Sequence, residues 1–459
     1  MIRSCSILLF ACFSLLFGED VDSIWTARFV VTMDGQRRVV ENGAVAVRGE
    51  RIVAVGPRAE IATQYQPTHR LDRGDAILMP GLIDTHTHAP MSLFRGIADD
   101  RRLQDWLENY IFPAEAKNVD REFVRWGTRL ACLEMALSGT TTYTDMYYFE
   151  EAIAEETKKA GLRGVLGETV IGFRAPDYET PQATLAGTEK YIQRFKGDPL
   201  IVPAVAPHSI YTLSEEYLKA SRALADRYGV PLLIHLSETR KENQDSLAKH
   251  KMTPTALLES LGVLNGRTLG AHGVWLDDND LRILKSHGTG LAHCPSSNAK
   301  LGSGVARVPE ILKAGIDMGL GTDGFAGSNN DASLFEEMDL AAKIQKITRL
   351  DPTVLPAQTA LEMATITGAG ALGMEKEIGS LEPGKRADMI TVNLDQPRGV
   401  PVYNVYSEIV YALKAGDVTD VMVNGAPIVR DRRMLTLNAQ EIMDKSAEYR
   451  RRVSGSIAK

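Results

Sequence analysis

At 459 residues the chain is long enough for one large barrel domain and a smaller partner, and it has no low-complexity tract. A formal charge of -7, from 52 Lys and Arg against 59 Asp and Glu, argues against a basic nucleic-acid-binding stripe, so no nucleic-acid partner is expected.

The first eighteen residues differ from the rest. Met1-Ile2-Arg3 is a short positive start, and Ile7 to Phe17 is an almost unbroken apolar run. The run is short for a bilayer span and reads as a secretory signal over residues 1–18, with export to the periplasm or exterior as the expectation. A membrane anchor formed by residues 5–17 is the alternative. Cys5 and Cys12 fall in this segment, leaving Cys132 and Cys294, which are expected as buried free thiols.

From Ile24 to Arg58 the pattern is short strands and turns: Phe29 to Thr32, Gly43 to Val47 and Arg51 to Val55. Near the other end, Ala387 to Val392 and Val421 to Val429 read the same way. Neither terminal piece makes a stable sheet alone. Residues 19–76 and 377–435 are therefore expected to combine into one small composite β-sandwich, with 436–459 as a helical tail.

Residues 77–376 alternate strand, loop and helix. Strands are predicted at Leu82–His88, Thr140–Asp145, Gly164–Val170, Ile201–Ala206, Leu232–Leu236, Thr268–His272, Thr289–His293 and Ile316–Thr322. Phe123, Trp126, Leu130, Leu133 and Leu137 form a helical stripe that stops at Ser138-Gly139. Thr212-x-x-Glu215 reads as a capping box opening a helix that closes at Gly229. Eight such alternations make an α/β fold of the (β/α)8 barrel type.

Within the first barrel strand, His86 and His88 are two residues apart, so an extended chain turns both imidazoles to one face. Two neutral imidazoles side by side suit a divalent transition metal. Other polar residues fall at the carboxyl ends of later strands: His208 after the fourth, His235 and Glu238 after the fifth, His272 after the sixth and Asp323 after the eighth. In a barrel these ends share one mouth. His69, His250 and His287 lie elsewhere and read as surface residues, while His293 on the seventh strand is open to either reading.

With these residues in place, the chain resembles the amidohydrolase superfamily, in the branch of the 5'-methylthioadenosine/S-adenosylhomocysteine deaminases and the triazine hydrolases. The motifs that carry the resemblance are PGLIDTHTHAPMSLFRG, APHSIYTLSEE, PLLIHLSETRKE, GAHGVWL, AHCPSSNAKLGSGVARV and LGTDGFAGSNN. It implies His86, His88, His235 and Asp323 as metal ligands, Glu238 as proton shuttle, His272 as partner of the attacking water and His208 as a substrate contact. Glu115 matches the family's acidic residue that holds ribose hydroxyls.

Strand four ends Ala206-Pro207-His208 without the bridging lysine of binuclear members, which implies one divalent ion. Zinc fits that donor set best, and Fe2+ or Mn2+ satisfy the same ligands. The implied activity is hydrolytic deamination of a purine nucleoside or related heterocyclic amine, by a homo-oligomer. A triazine chlorohydrolase or aminohydrolase, or a guanine deaminase-like enzyme, is the alternative on the same site. Glu168 stands where some members carry an arginine for the homocysteine carboxylate, which disfavours S-adenosylhomocysteine unless Arg174 substitutes.

Overall fold

The computed structural model describes residues 18–456. The expected export signal, with Cys5 and Cys12, lies outside the described residues apart from Gly18.

The described residues open with β1 (Glu19–Val31), β2 (Val39–Arg48), β3 (Arg51–Pro57) and β4 (Tyr65–Pro80). The barrel strands follow: β5 (Leu82–His88), β6 (Thr140–Tyr147), β7 (Arg163–Val170), β8 (Ile201–Pro207), β9 (Leu232–Leu236), β10 (Thr268–His272), β11 (Gly290–His293), β12 (Met318–Leu320) and β13 (Asp323–Gly324). The chain then returns through β14 (Met389–Asn393), β15 (Val418–Val423), β16 (Ala426–Arg430) and β17 (Arg433–Met434).

Both ends meet in one eight-stranded sheet, ordered β17-β16-β15-β14-β4-β1-β2-β3. β4 is not among the strands expected from the sequence. This strand pairs parallel with β1 and antiparallel with β14, so it is the seam joining the two ends. Its first half, with exposed His69 and Arg70, lacks the apolar alternation that marks a strand.

β5 to β12 form a parallel barrel that closes through β12 onto β5, and β13 continues that closure farther along β5. The strand carrying His86 and His88 is thus bonded to the last segment of the barrel, which carries Asp323. Helices cover the outside. The helix Arg121–Leu137 is capped by Asp120, whose carboxylate accepts the Phe123 N–H, and ends at Gly139 with φ 91°. Its fully buried face runs through Phe123, Gly127, Ala131 and Met135, whereas Trp126, Leu130 and Leu137 are only half-buried.

Thr212 does not cap the helix Glu215–Tyr228. Its N-cap is Ser214, and the Thr212 hydroxyl turns to Ser209 and His208 instead. Cys132 and Cys294 are buried free thiols.

Gly127 lets this helix lie directly on the turn that follows His88. A Cβ there would stand 2.8 Å from Pro90 Cα and close to the Pro90 carbonyl. In an open helix Gly→Ala is stabilising, but here the obstacle is backbone. Gly127→Ala is therefore expected to destabilise the fold by about 1–3 kcal/mol, read as a lower denaturant midpoint with an unchanged m-value.

Candidate active site

The pleat of β5 places the rings of His86 and His88 together, with centroids 4.9 Å apart. Thr87, on the opposite face, donates to Asp145 Oδ1 at 2.7 Å, and the same oxygen accepts the Ala89 N–H at 2.5 Å. Asp145 therefore fixes the strand end from outside. His88 Nδ1 lies 2.7 Å from the Met146 carbonyl, and His235 Nδ1 lies 2.8 Å from the His208 carbonyl. A carbonyl only accepts, so each Nδ1 carries hydrogen and each Nε2 is directed into the barrel mouth.

There the donors converge. His235 Nε2 is 3.4 Å from His88 Nε2, and Asp323 Oδ1 is 3.4 Å from His86 Nε2 and 3.3 Å from His88 Nε2. His86 Nε2 is buried with no hydrogen-bond partner. Lone pairs and a carboxylate gathered this closely repel one another unless a cation lies among them. Three imidazoles and one carboxylate fit a divalent ion with a position left open for water.

The charges agree. Burial holds His86 down to about 4 and His235 well below the usual histidine range, keeping both neutral. For His88 burial is outweighed by Asp323, which pushes it up to about 9, while the two imidazoles draw Asp323 well below the carboxylate range. A divalent ion and a proton on His88 thus compete for the same carboxylate.

His272 belongs to the same cluster. Donor atoms of His86, His235 and His272 lie within 4.8 Å of one another, as do those of His86, His88 and Asp323. His272 differs from His88 and His235 in its outer bond, which runs to the side chain of Asn298 at 3.2 Å, and its Nε2 faces Glu238 Oε2 at 3.8 Å. Both His272 and Asp323 sit at positive φ, 76° and 61°. Such backbone persists only where the surroundings hold it.

The holders were not found from sequence. Ser297 donates to Asp323 Oδ2 at 2.5 Å, and with Asn298 it comes from the short helix Pro295–Lys300. Asp84, buried on β5, takes the Thr322 hydroxyl at 2.6 Å and its N–H at 3.1 Å, tying the first strand to the last. The signals were present in LIDTHTH and CPSSNAK, but nothing in a linear pattern says what these residues touch.

Glu115, His208 and Glu238 line one cavity of about 60 Å³ together with His88, His235, His272 and Asp323. Leu103, Trp106, Ile111 and Phe112 supply much of its apolar wall. Burial, reinforced by Asp323, pushes Glu238 up to about 8. Burial likewise lifts Glu115 to about 7, against the hydrogen bond it accepts from the Tyr147 hydroxyl at 2.6 Å. Burial lowers His208 to about 3, so it stays neutral, with Nδ1 3.2 Å from the Ser209 and Thr212 hydroxyls. A second cavity of about 360 Å³ shares Phe112, Glu115 and Tyr148 with the first.

His293 is buried outside this cavity, with neither ring nitrogen bonded. His250 and His287, on helix ends, face Glu215 at 3.5 Å and Glu259 at 3.6 Å. Glu168 is also outside the mouth. It points behind the barrel, where it accepts the Glu150 N–H at 3.0 Å, while its neighbour Thr169 lines the cavity. The alternation of β7 turns Glu168 away, so it has no bearing on a substrate carboxylate. Arg174 stands at the second cavity's rim, 79% exposed and 3.6 Å from Glu179.

The family model described as "Amidohydrolase family" matches residues 77–428, and one for an imidazolonepropionase-like composite domain of bacteria matches residues 43–65. The chain is 44% identical over 439 residues to 5-methylthioadenosine/S-adenosylhomocysteine deaminase 1 of Syntrophus aciditrophicus, covering 96% of this chain and 99% of that one. It is 46% identical over 432 residues to the 5-methylthioadenosine/S-adenosylhomocysteine deaminase of Thermodesulfovibrio yellowstonii, covering 94% and 98%. Among solved structures, an adenosine deaminase from Xanthomonas campestris with bound zinc superposes with a TM-score of 0.93 at 36% identity, over 95% of this chain and 100% of that one.

The donor set predicts about one divalent ion per chain by elemental analysis. Asp323→Asn and His235→Ala are each expected to lower that content sharply. His250→Ala, on a helix end, should leave it unchanged.

Proposed function

Because the chain belongs to the amidohydrolase family and is a hydrolase acting on non-peptide carbon–nitrogen bonds, we propose that its substrate is an adenine nucleoside of the 5'-methylthioadenosine class, deaminated at the ring carbon that bears the amino group. The observation that carries this reading is the place of Glu115, a buried carboxylate on the wall common to the two cavities. A nucleoside has that shape: a flat base for the apolar inner chamber, a diol for the carboxylate between, and a 5' substituent for the outer chamber. A triazine or guanine offers no diol. The names of the relatives support the same class.

His86, His88, His235 and Asp323 would hold the ion. When bound, it supplies the lowered pKa of a coordinated water, from about 16 towards 7. Asp323 would accept a proton from the attacking water, and His272, whose Nδ1 lies 3.2 Å from Asn298, would orient it. Glu238, protonated below about pH 8, donates to the ring nitrogen next to the attacked carbon. The ionised Glu238 would take the proton of the added hydroxyl and pass it to the departing amino group, and the proton held on Asp323 would restore Glu238, so that water and substrate yield the oxo base and ammonia. The apolar wall excludes bulk water and strengthens these charges.

Ammonia release from a panel of 5'-methylthioadenosine, adenosine and guanine tests this. Turnover of the two nucleosides and not of guanine is expected, and no ammonia from any of them would overturn it. Glu115→Ala should raise KM for nucleosides at least about tenfold while changing kcat less, because a ground-state contact is lost. Glu238→Gln should lower kcat by about 100- to 10,000-fold. In the wild type, kcat should fall as pH rises past about 8, where Glu238 loses the proton it donates.

A further inference from the structure

Thr239 is the N-cap of the helix Arg240–His250, its hydroxyl accepting the Glu242 N–H at 3.2 Å. A Thr-x-x-Glu start ordinarily makes a capping box, in which the glutamate returns to the N-cap N–H. Asp277 and Asp280 do this elsewhere in the chain. Glu242 does not. Its Oε1 accepts the Ser237 N–H at 3.1 Å and its Oε2 accepts the Glu238 N–H at 2.8 Å, two residues and one residue before the N-cap.

Ser237 is at φ 49°, and its carbonyl accepts the N–H groups of Val274 at 3.1 Å and Trp275 at 2.9 Å. The peptide before Glu238 is therefore gripped on both sides, by Glu242 and by the segment after β10. Glu242 is 6% exposed. The cations beside it in sequence are engaged elsewhere, Lys241 with Asp245 at 2.6 Å and Arg240 over the Trp275 ring at 5.7 Å. A buried carboxylate without a cation is an expensive way to cap a helix, and a neutral acceptor would serve the fold.

We propose that Glu242 is a positioning residue for the reaction: its two oxygens set the Ser237-Glu238 peptides so that the Glu238 carboxyl faces His272 across the barrel mouth. The proposal rests on the reading of Glu238 as proton donor. It assigns Glu242 no contact with substrate or metal ion.

The test is a double-mutant cycle on the metal-replete protein, with Glu242→Gln, Glu238→Gln and both together. Glu242→Gln keeps the shape but removes one of the two acceptor oxygens. The expected result is a fall in kcat of about 100-fold, the loss that a displacement of about 1 Å causes, with KM within about threefold and metal content and melting temperature unchanged. In the Glu238→Gln background the same substitution should cost less than about threefold, because there is no proton donor left to misplace. An equal loss in both backgrounds, or a kcat unaltered by Glu242→Gln, overturns the proposal. Should Glu242→Gln fail to fold, Glu242→Asp, which keeps the charge and shortens the reach, gives the same comparison. Full activity of Glu238→Gln alone would instead overturn the donor reading on which the proposal stands.

Discussion

Asp323 Oδ1 stands within 3.4 Å of imidazole nitrogens on both His86 and His88, at the seam where the barrel closes. These residues are more than two hundred positions apart in sequence, yet Asp323 pairs in register with Thr87. Closing the barrel and assembling the donor cluster proposed to hold the ion are therefore one event. Asp84 reinforces the seam from below by holding Thr322. A barrel that failed to close here would lose Asp323 from the cluster and its last strand together.

Stability has been given up around that seam in recognisable ways. Ser237, His272 and Asp323 all occupy the left-handed region, and each lies at the mouth. Non-glycine residues held there cost roughly 1–3 kcal/mol each. Glu115, Glu238 and Glu242 are buried acids, and burial raises the pKa of each. Local rules fail at the proposed site, and the surrounding packing bears the cost. The same burial keeps Glu238 protonated near neutral pH, which a surface glutamate would not be.

The small sheet contributes by placement. β4 runs directly into β5 with only Gly81 between them, and the Gly81 N–H is held by the Asp388 carbonyl at 3.0 Å. The strand that presents His86 and His88 thus starts from a sheet built by both chain ends. The terminal pieces fix where the first barrel strand enters, although among the described residues none of their side chains lines the cavity.

The sequence alone determined what depends on period and chemistry. Two histidines at a spacing of two on an apolar strand must share a face, and strands followed by helices eight times over must bring His208, His235, His272 and Asp323 to the same end. Those rules are local, so they are legible in a single chain. Only the tertiary structure decided what depends on distance between elements. It turned Thr212 from a helix cap into a partner of His208, turned Glu168 behind the barrel, and made Ser297, Asn298 and Glu242 the holders of Asp323, His272 and Glu238. A hydrogen bond is fixed by the separation of two atoms in space, and no spacing along the chain specifies that until the barrel has closed.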